Sequence, residues 1–115
     1  MRMGTLERAI MEALWRQPGG LFAQDLAERL ESRPATTTVL TVLVRLTKKG
    51  MVSRRRIGRA HLYEAAVAKD AVVAEAMRAA LEEAGDVALA VQRFVGVVPP
   101  EVATALRDAL EARDD

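Results

Sequence analysis

Cysteine is absent from this chain of 115 residues, which excludes disulfides and thiolate metal sites and leaves the fold to packing alone. His61 is the only histidine, so histidine clusters, Cys–His pairs and a Ser–His–Asp triad all lack their parts. Aromatic residues make up 3%, and with Ala, Leu and Val abundant the composition favours packed helices over a β-sandwich. No run of about 18 apolar residues occurs, and the opening MRMGTLERAIMEALW interleaves charges with apolar positions, so neither a membrane span nor a signal peptide is expected. The expected location is the cytoplasm. Pro18-Gly19-Gly20 has no following Lys and Ser or Thr, and so is a turn rather than a phosphate loop. Together these absences argue against an enzyme, and no cofactor or metal is expected.

A more telling absence is local. Residues 32–63 contain no acid at all, against eight bases: Arg33, Arg45, Lys48, Lys49, Arg54, Arg55, Arg56 and Arg59. Residues 64–115 reverse the balance, with eleven acids and five bases, so the net charge of +1 conceals strong segregation. A basic segment of this density attracts a polyanion while the acidic remainder turns away from it. A solvated face is the plainer alternative for a charge run taken alone.

Periodicity places the basic segment on a fold. Leu6, Ile10, Ala13 and Leu14 form one stripe on a first helix over residues 5–16, which Pro18-Gly19-Gly20 ends. Leu21-Phe22 is a stub of strand, and Leu26, Ala27 and Leu30 mark a second helix that stops before Pro34. Thr36, Thr37 or Thr38 is expected to cap a third helix, whose Val39, Val42, Leu43 and Leu46 face inward and which Gly50 closes. Residues 51–56 and 60–65 then read as a hairpin turning through Ile57-Gly58-Arg59, with Val52 and Leu62 packing inward. Three helices and a hairpin make the winged-helix layout, in which the third helix enters the major groove and the hairpin lies along adjacent phosphates.

On that layout the outer face of the third helix presents Thr37, Thr38, Thr41 and Arg45 as candidate base contacts, since Thr bonds either way and Arg bonds guanine bidentately. Leu40 and Val44 lie on the same flank, suited to thymine methyls or to packing. Lys48, Lys49, Arg54, Arg55, Arg56, Arg59 and His61 are candidate phosphate contacts, which position a protein but carry little sequence information. Trp15 and Tyr63 read as core residues.

The residues after 66 are of a different kind. Val73, Met77 and Leu81 line a fourth helix ending at Gly85; Val91 and Phe94 line a fifth capped by Asp86; Leu106 and Leu110 line a sixth that starts at Pro99-Pro100. Helices with one apolar face each must pack on something. A homodimer interface is the expectation, because reading DNA with two-fold symmetry needs a dimer; capping of the domain core is the alternative. The expected organisation is therefore mainly α with a small hairpin: a winged-helix DNA-binding domain over residues 1–66 and a helical dimerisation region over 67–115. Two other functions fit a winged helix, an architectural binder of DNA without sequence preference and a protein-interaction module.

Gly4-Thr5-Leu6-Glu7 with Ile10-Met11 and Leu14-Trp15, Thr38-Val39, Thr41-Val42-Leu43, Arg45-Leu46, Lys49-Gly50 and Gly58-Arg59-Ala60-His61 before Tyr63 resemble the penicillinase repressor family, the BlaI/MecI type. The resemblance covers nearly the whole chain. It implies a homodimeric repressor on dyad operators ahead of β-lactamase-type resistance genes or related stress genes, released when a membrane-bound sensor protease triggers cleavage in the C-terminal helices. The family's cleaved bond joins Asn to Phe, and the matching pair here is Arg93-Phe94. Copper-responsive members carry a Cys-rich tail, which this chain lacks. Phe22 stands where the family often has a capping Thr or Ser, and Leu40 replaces a common hydrogen-bond acceptor.

Overall fold

The computed structural model describes residues 3–114. Its elements run α1 (Thr5–Arg16), β1 (Leu21–Phe22), α2 (Ala23–Arg29), α3 (Thr36–Lys48), β2 (Val52–Ile57), β3 (Ala60–Ala65), α4 (Lys69–Glu82), α5 (Val87–Val97) and α6 (Pro100–Asp114). The chain divides into two compact units, Met1–Ala76 and Met77–Asp115.

In the first unit the apolar stripes close on one another. Ile10, Met11 and Leu14 of α1, Leu26 of α2 and Val39, Leu43 and Leu46 of α3 are all enclosed, each 0–1% exposed. Burying a side chain of this kind stabilises by roughly 1.5–3 kcal/mol. The ends of the helices are set locally. The Gly4 amide donates to Glu7 Oε1 at 3.0 Å and the Phe22 amide to Asp25 Oδ2 at 3.1 Å, each side chain reaching back to the residue that opens its helix. Contrary to expectation, no threonine caps α3: Ala35 is the capping residue, without a side-chain bond, and Thr36 is already helical. At the other end Gly50 adopts φ 76°, and the Met51 and Gly50 amides bond to the carbonyls of Leu46 and Thr47. This is a Schellman motif, and it tucks Met51 into the core at 5% exposure.

The sheet has the order β1-β3-β2, antiparallel throughout. Val52, Tyr63 and Leu21 share the face that joins the helical core. Leu62 does not: strand alternation sends it to the opposite face, where it is buried beside Gly20 instead. The expectation that Val52 and Leu62 both face inward thus holds for Val52, and Tyr63 takes the other inward place. Gly20 is required there, because its φ is 89° and a Cβ would lie 2.8 Å from Glu64 Cγ and 2.9 Å from Leu62 Cγ. Residues 67–76 also pack on this unit. Val67 and Val72 lie against its core, Trp15 Nε1 donates to the Val67 carbonyl at 2.9 Å, and Lys69 bonds Glu12 at 3.0 Å while standing 5.8 Å from the Trp15 ring centroid.

The second unit comprises the end of α4 with α5 and α6. Asp86 Oδ1 accepts from the Leu89 amide at 3.0 Å, the N-cap expected for α5, and Gly85 precedes it at φ 70°. α6 begins at Pro100, whose ring suits the first helical turn. No residue of α5 is buried.

Candidate nucleic-acid interface

α3 separates cleanly into two faces. Val39, Val42, Leu43 and Leu46 are buried, while Thr37, Thr38, Leu40, Thr41, Val44, Arg45 and Lys48 are exposed. The four candidate base contacts, Thr37, Thr38, Thr41 and Arg45, therefore lie on open helix surface. Thr41 Oγ1 donates to the Thr37 carbonyl at 3.0 Å, a back-bond common for threonine within a helix.

The hairpin turns through two residues, Gly58 and Arg59, between the paired Ile57 and Ala60. Gly58 has φ 64° and Arg59 is not in the positive range, the pattern of a type II′ turn. Arg54, Arg55, Arg56 and Arg59 are all exposed. The consecutive arginines do not act alike, however, because side chains of a strand alternate. Arg54 and Arg56 sit opposite Tyr63 and His61, on one face, whereas Arg55 sits opposite Leu62 on the other. There Arg55 Nε is 2.9 Å from Glu64 Oε1, so its charge is already balanced. Arg56 Nε donates to the Gly58 carbonyl at 3.1 Å and stiffens the turn. His61 is half-buried, with its ring 6.3 Å from that of Tyr63.

Lys49 also departs from the free cations. Its Nζ is 3.0 Å from Glu7 Oε2, which ties the end of α3 to the first turn of α1. Glu7 is buried at 7% exposure, and the Gly4 amide, followed by the Lys49 ammonium, holds its carboxyl below the ordinary value despite that burial. The pair clamps the end of α3 to α1, and Lys49 stays solvent-exposed beside the basic face. Sequence reading missed this role for Glu7; the signal was a glutamate three residues after the residue that opens a helix. Among the described residues, Arg45, Lys48, Arg54 and Arg59 form no ion pair. Between α2, α3 and the hairpin lies an open groove of roughly 530 Å³, lined by Phe22, Gln24, Leu40, Ile57, Arg59 and His61 among others.

The expected dimer positions are placed as follows. Val73, Met77, Leu81, Val91, Phe94 and Leu110 are each 39–62% exposed, and Leu106 is half-buried. Arg93 and Phe94 lie in the body of α5, so the bond between them is in regular helix. Among the described residues no helix is long and apolar enough to cross a membrane, and no group of His, Asp or Glu is arranged to hold a metal ion.

Comparison with known proteins identifies the arrangement. A family model described as penicillinase repressor matches residues 3–112. A transcriptional regulator BlaI from Mycobacterium tuberculosis is 41% identical, over 95% of this chain and 83% of the relative. Among solved structures, the DNA-binding domain of the repressor BlaI aligns over 59% of this chain and 84% of its own, with a TM-score of 0.53 at 23% identity. MepR, a transcription regulator of the Staphylococcus aureus multidrug efflux pump MepA, aligns over 96% of this chain and 77% of its own, with a TM-score of 0.54 at 18% identity. These structural likenesses establish the winged-helix fold, and the sequence relatives are transcriptional regulators rather than enzymes. The chain belongs to the penicillinase repressor family and is a BlaI-type transcriptional repressor with a winged-helix DNA-binding domain.

Proposed function

We propose that this repressor works in the cytoplasm as a homodimer on dyad operators of β-lactamase-type resistance genes or related stress genes. The observation that carries the reading is a pair of exposed surfaces of different chemistry: a strongly basic one on α3 and the hairpin, where Glu64 is the one acid, and an apolar one on α4 to α6. In this reading residues 1–66 bind DNA and residues 67–115 join the protomers through Val73, Met77, Leu81, Val91, Phe94, Leu106 and Leu110. Thr37, Thr38, Thr41 and Arg45 contact base edges. Lys48, Arg54, Arg56, Arg59 and His61 contact phosphates, Arg55 contributes less because Glu64 shares its charge, and Lys49 acts through its clamp on Glu7.

Release by proteolysis is the second part of the reading. A sensor-driven protease acting between Arg93 and Phe94 requires α5 to unwind, since peptide bonds are cut in extended conformation and this one lies within a helix. Cleavage there splits the apolar surface and weakens the dimer. Chains that stay full length under inducing conditions in the native host would remove this part and leave the rest standing.

The decisive experiment is selection of genomic fragments by the purified protein at near-physiological salt, followed by sequencing. The expected result is a few promoter sites sharing a dyad, preferred over random DNA by about 10³-fold or more. If the dimer neutralises about 6–10 phosphates, affinity falls roughly 10³- to 10⁵-fold between 50 and 200 mM salt. Recovery without a motif would replace the reading with an architectural binder, and no recovery would replace it with a protein-interaction module.

A further inference from the structure

Leu40 and Val44 are the large apolar side chains that α3 leaves open, at 38% and 44% exposure, although neighbouring Val39, Leu43 and Leu46 are fully enclosed. A single exposed leucine needs no explanation. These two stand one turn apart on one helical face, among Thr37, Thr41, Arg45 and Lys48, in a segment with eight bases and no acid. The core does not use them, and a second copy of the same basic face would repel them. Charge complementarity favours duplex DNA as the occupant, and the apolar group that the major groove offers is the thymine C5-methyl.

Thr41 narrows the reading further. Its single hydroxyl proton is committed to the Thr37 carbonyl, so toward a base the oxygen can only accept, as from adenine N6 or cytosine N4. On that face Thr41 accepts, Leu40 and Val44 are apolar, and Arg45 and Lys48 are the charged donors.

Resting on the operator-reading function proposed above, we infer that Leu40 and Val44 are specificity-determining residues that read thymine methyl groups. Four residues of helix rise about 6 Å, and base pairs stack about 3.4 Å apart. The two thymines therefore lie about two base-pair steps apart in each half-site.

The test uses the full chain and an operator that it selects from a random duplex library. Each thymine in turn is replaced by deoxyuridine, which keeps the base pair and removes only the methyl group, and affinity is measured at fixed salt. Two thymines per half-site are expected to respond, each substitution weakening binding by about fourfold, the factor for one methyl-sized apolar contact. Leu40→Ala and Val44→Ala are each expected to abolish the response at one of them. Both side chains are exposed, so the variants keep the fold, and the deoxyuridine series on the unchanged protein needs no variant at all. If every deoxyuridine operator binds within twofold of the parent while the parent is still preferred over random DNA, the inference is overturned and operator reading survives. If no sequence is selected, operator reading itself falls and the inference with it. Variants that respond to deoxyuridine as the unchanged protein does would return both residues to surface filling.

Discussion

Up to Ala76 the inward apolar residues of α1, α2 and α3 meet one another, and Ile10, Leu26, Val39 and Leu43 are fully shielded from water, with Leu40, Val44 and Val73 left open. Between Met77 and Asp115 the same residue types stay open to it: Met77 is 50% exposed, Phe94 41% and Val97 81%. α1 and α5 are nevertheless similar as sequences, each with an apolar stripe at helical spacing and a defined N-terminus. The difference teaches that periodicity marks which face of a helix avoids water but not what covers it. In the first unit three helices and a sheet supply the cover from within the chain. In the second, the cover on our proposal is another protomer, because exposed apolar stripes on neighbouring helices are costly in water.

That contrast can be broken most directly at Phe94. Phe94→Asp places an unpaired carboxylate in the proposed interface, a burial costlier than any truncation, and sedimentation is expected to show the protomer mass in place of the dimer mass. An unchanged mass would mean that α5 does not form the contact. Next in size is a comparison of two leucines. Leu43→Ala, in the enclosed core, is expected to cost about 2–5 kcal/mol in urea unfolding. Leu110→Ala, at 62% exposure, should stay within about 0.5 kcal/mol for the dissociated chain while weakening assembly. Equal losses at the two positions would erase the distinction between the units.

Smaller effects sharpen how the first unit holds its reading helix. Glu7→Gln is expected to cost about 1–2 kcal/mol, because it removes the charged partner of Lys49, while the Gln carbonyl oxygen can still accept from the Gly4 amide. Glu7 is held below the ordinary carboxylate value, first by the Gly4 amide and then by Lys49. Its stabilisation is therefore complete above that ordinary value and lost as pH falls through the depressed one. Unfolding midpoints of the parent and Glu7→Gln should differ at neutral pH and converge in acid; a gap that persists in acid would deny the carboxylate this role. Smallest are the arginines of β2. Arg54→Ala and Arg56→Ala are each expected to reduce the dependence of log affinity on log salt by about 0.9 for each phosphate no longer neutralised, with Arg55→Ala reducing it less because of Glu64. Identical slopes for the three would show that the hairpin presents them together.

Much of the fold was legible because its determinants are local. The stripes of α1 and α3, the Asp86 cap, the glycines at 50, 58 and 85 and the proline at 100 act over three or four residues, and those features stand where the sequence places them. The open face of α3 was legible for the same reason, since the helical period assigns Thr37, Thr41 and Arg45 to the side opposite Leu43. The cap of α3 was misread because three threonines compete for one position, and the chain enters the helix one residue earlier, at Ala35.

By itself, then, the sequence determined which residues form helices and strands, where they end, and that positive charge gathers on the third helix and the hairpin. Tertiary structure alone decided which neighbours those charges acquire. Lys49 meets Glu7 across 42 positions, and Leu62, expected to face inward, is turned to the opposite side of the sheet once β3 pairs with its neighbours. The physical reason is that caps, turns and periodicities act between residues close along the chain, whereas strand register and ion pairing depend on segments that only folding brings together.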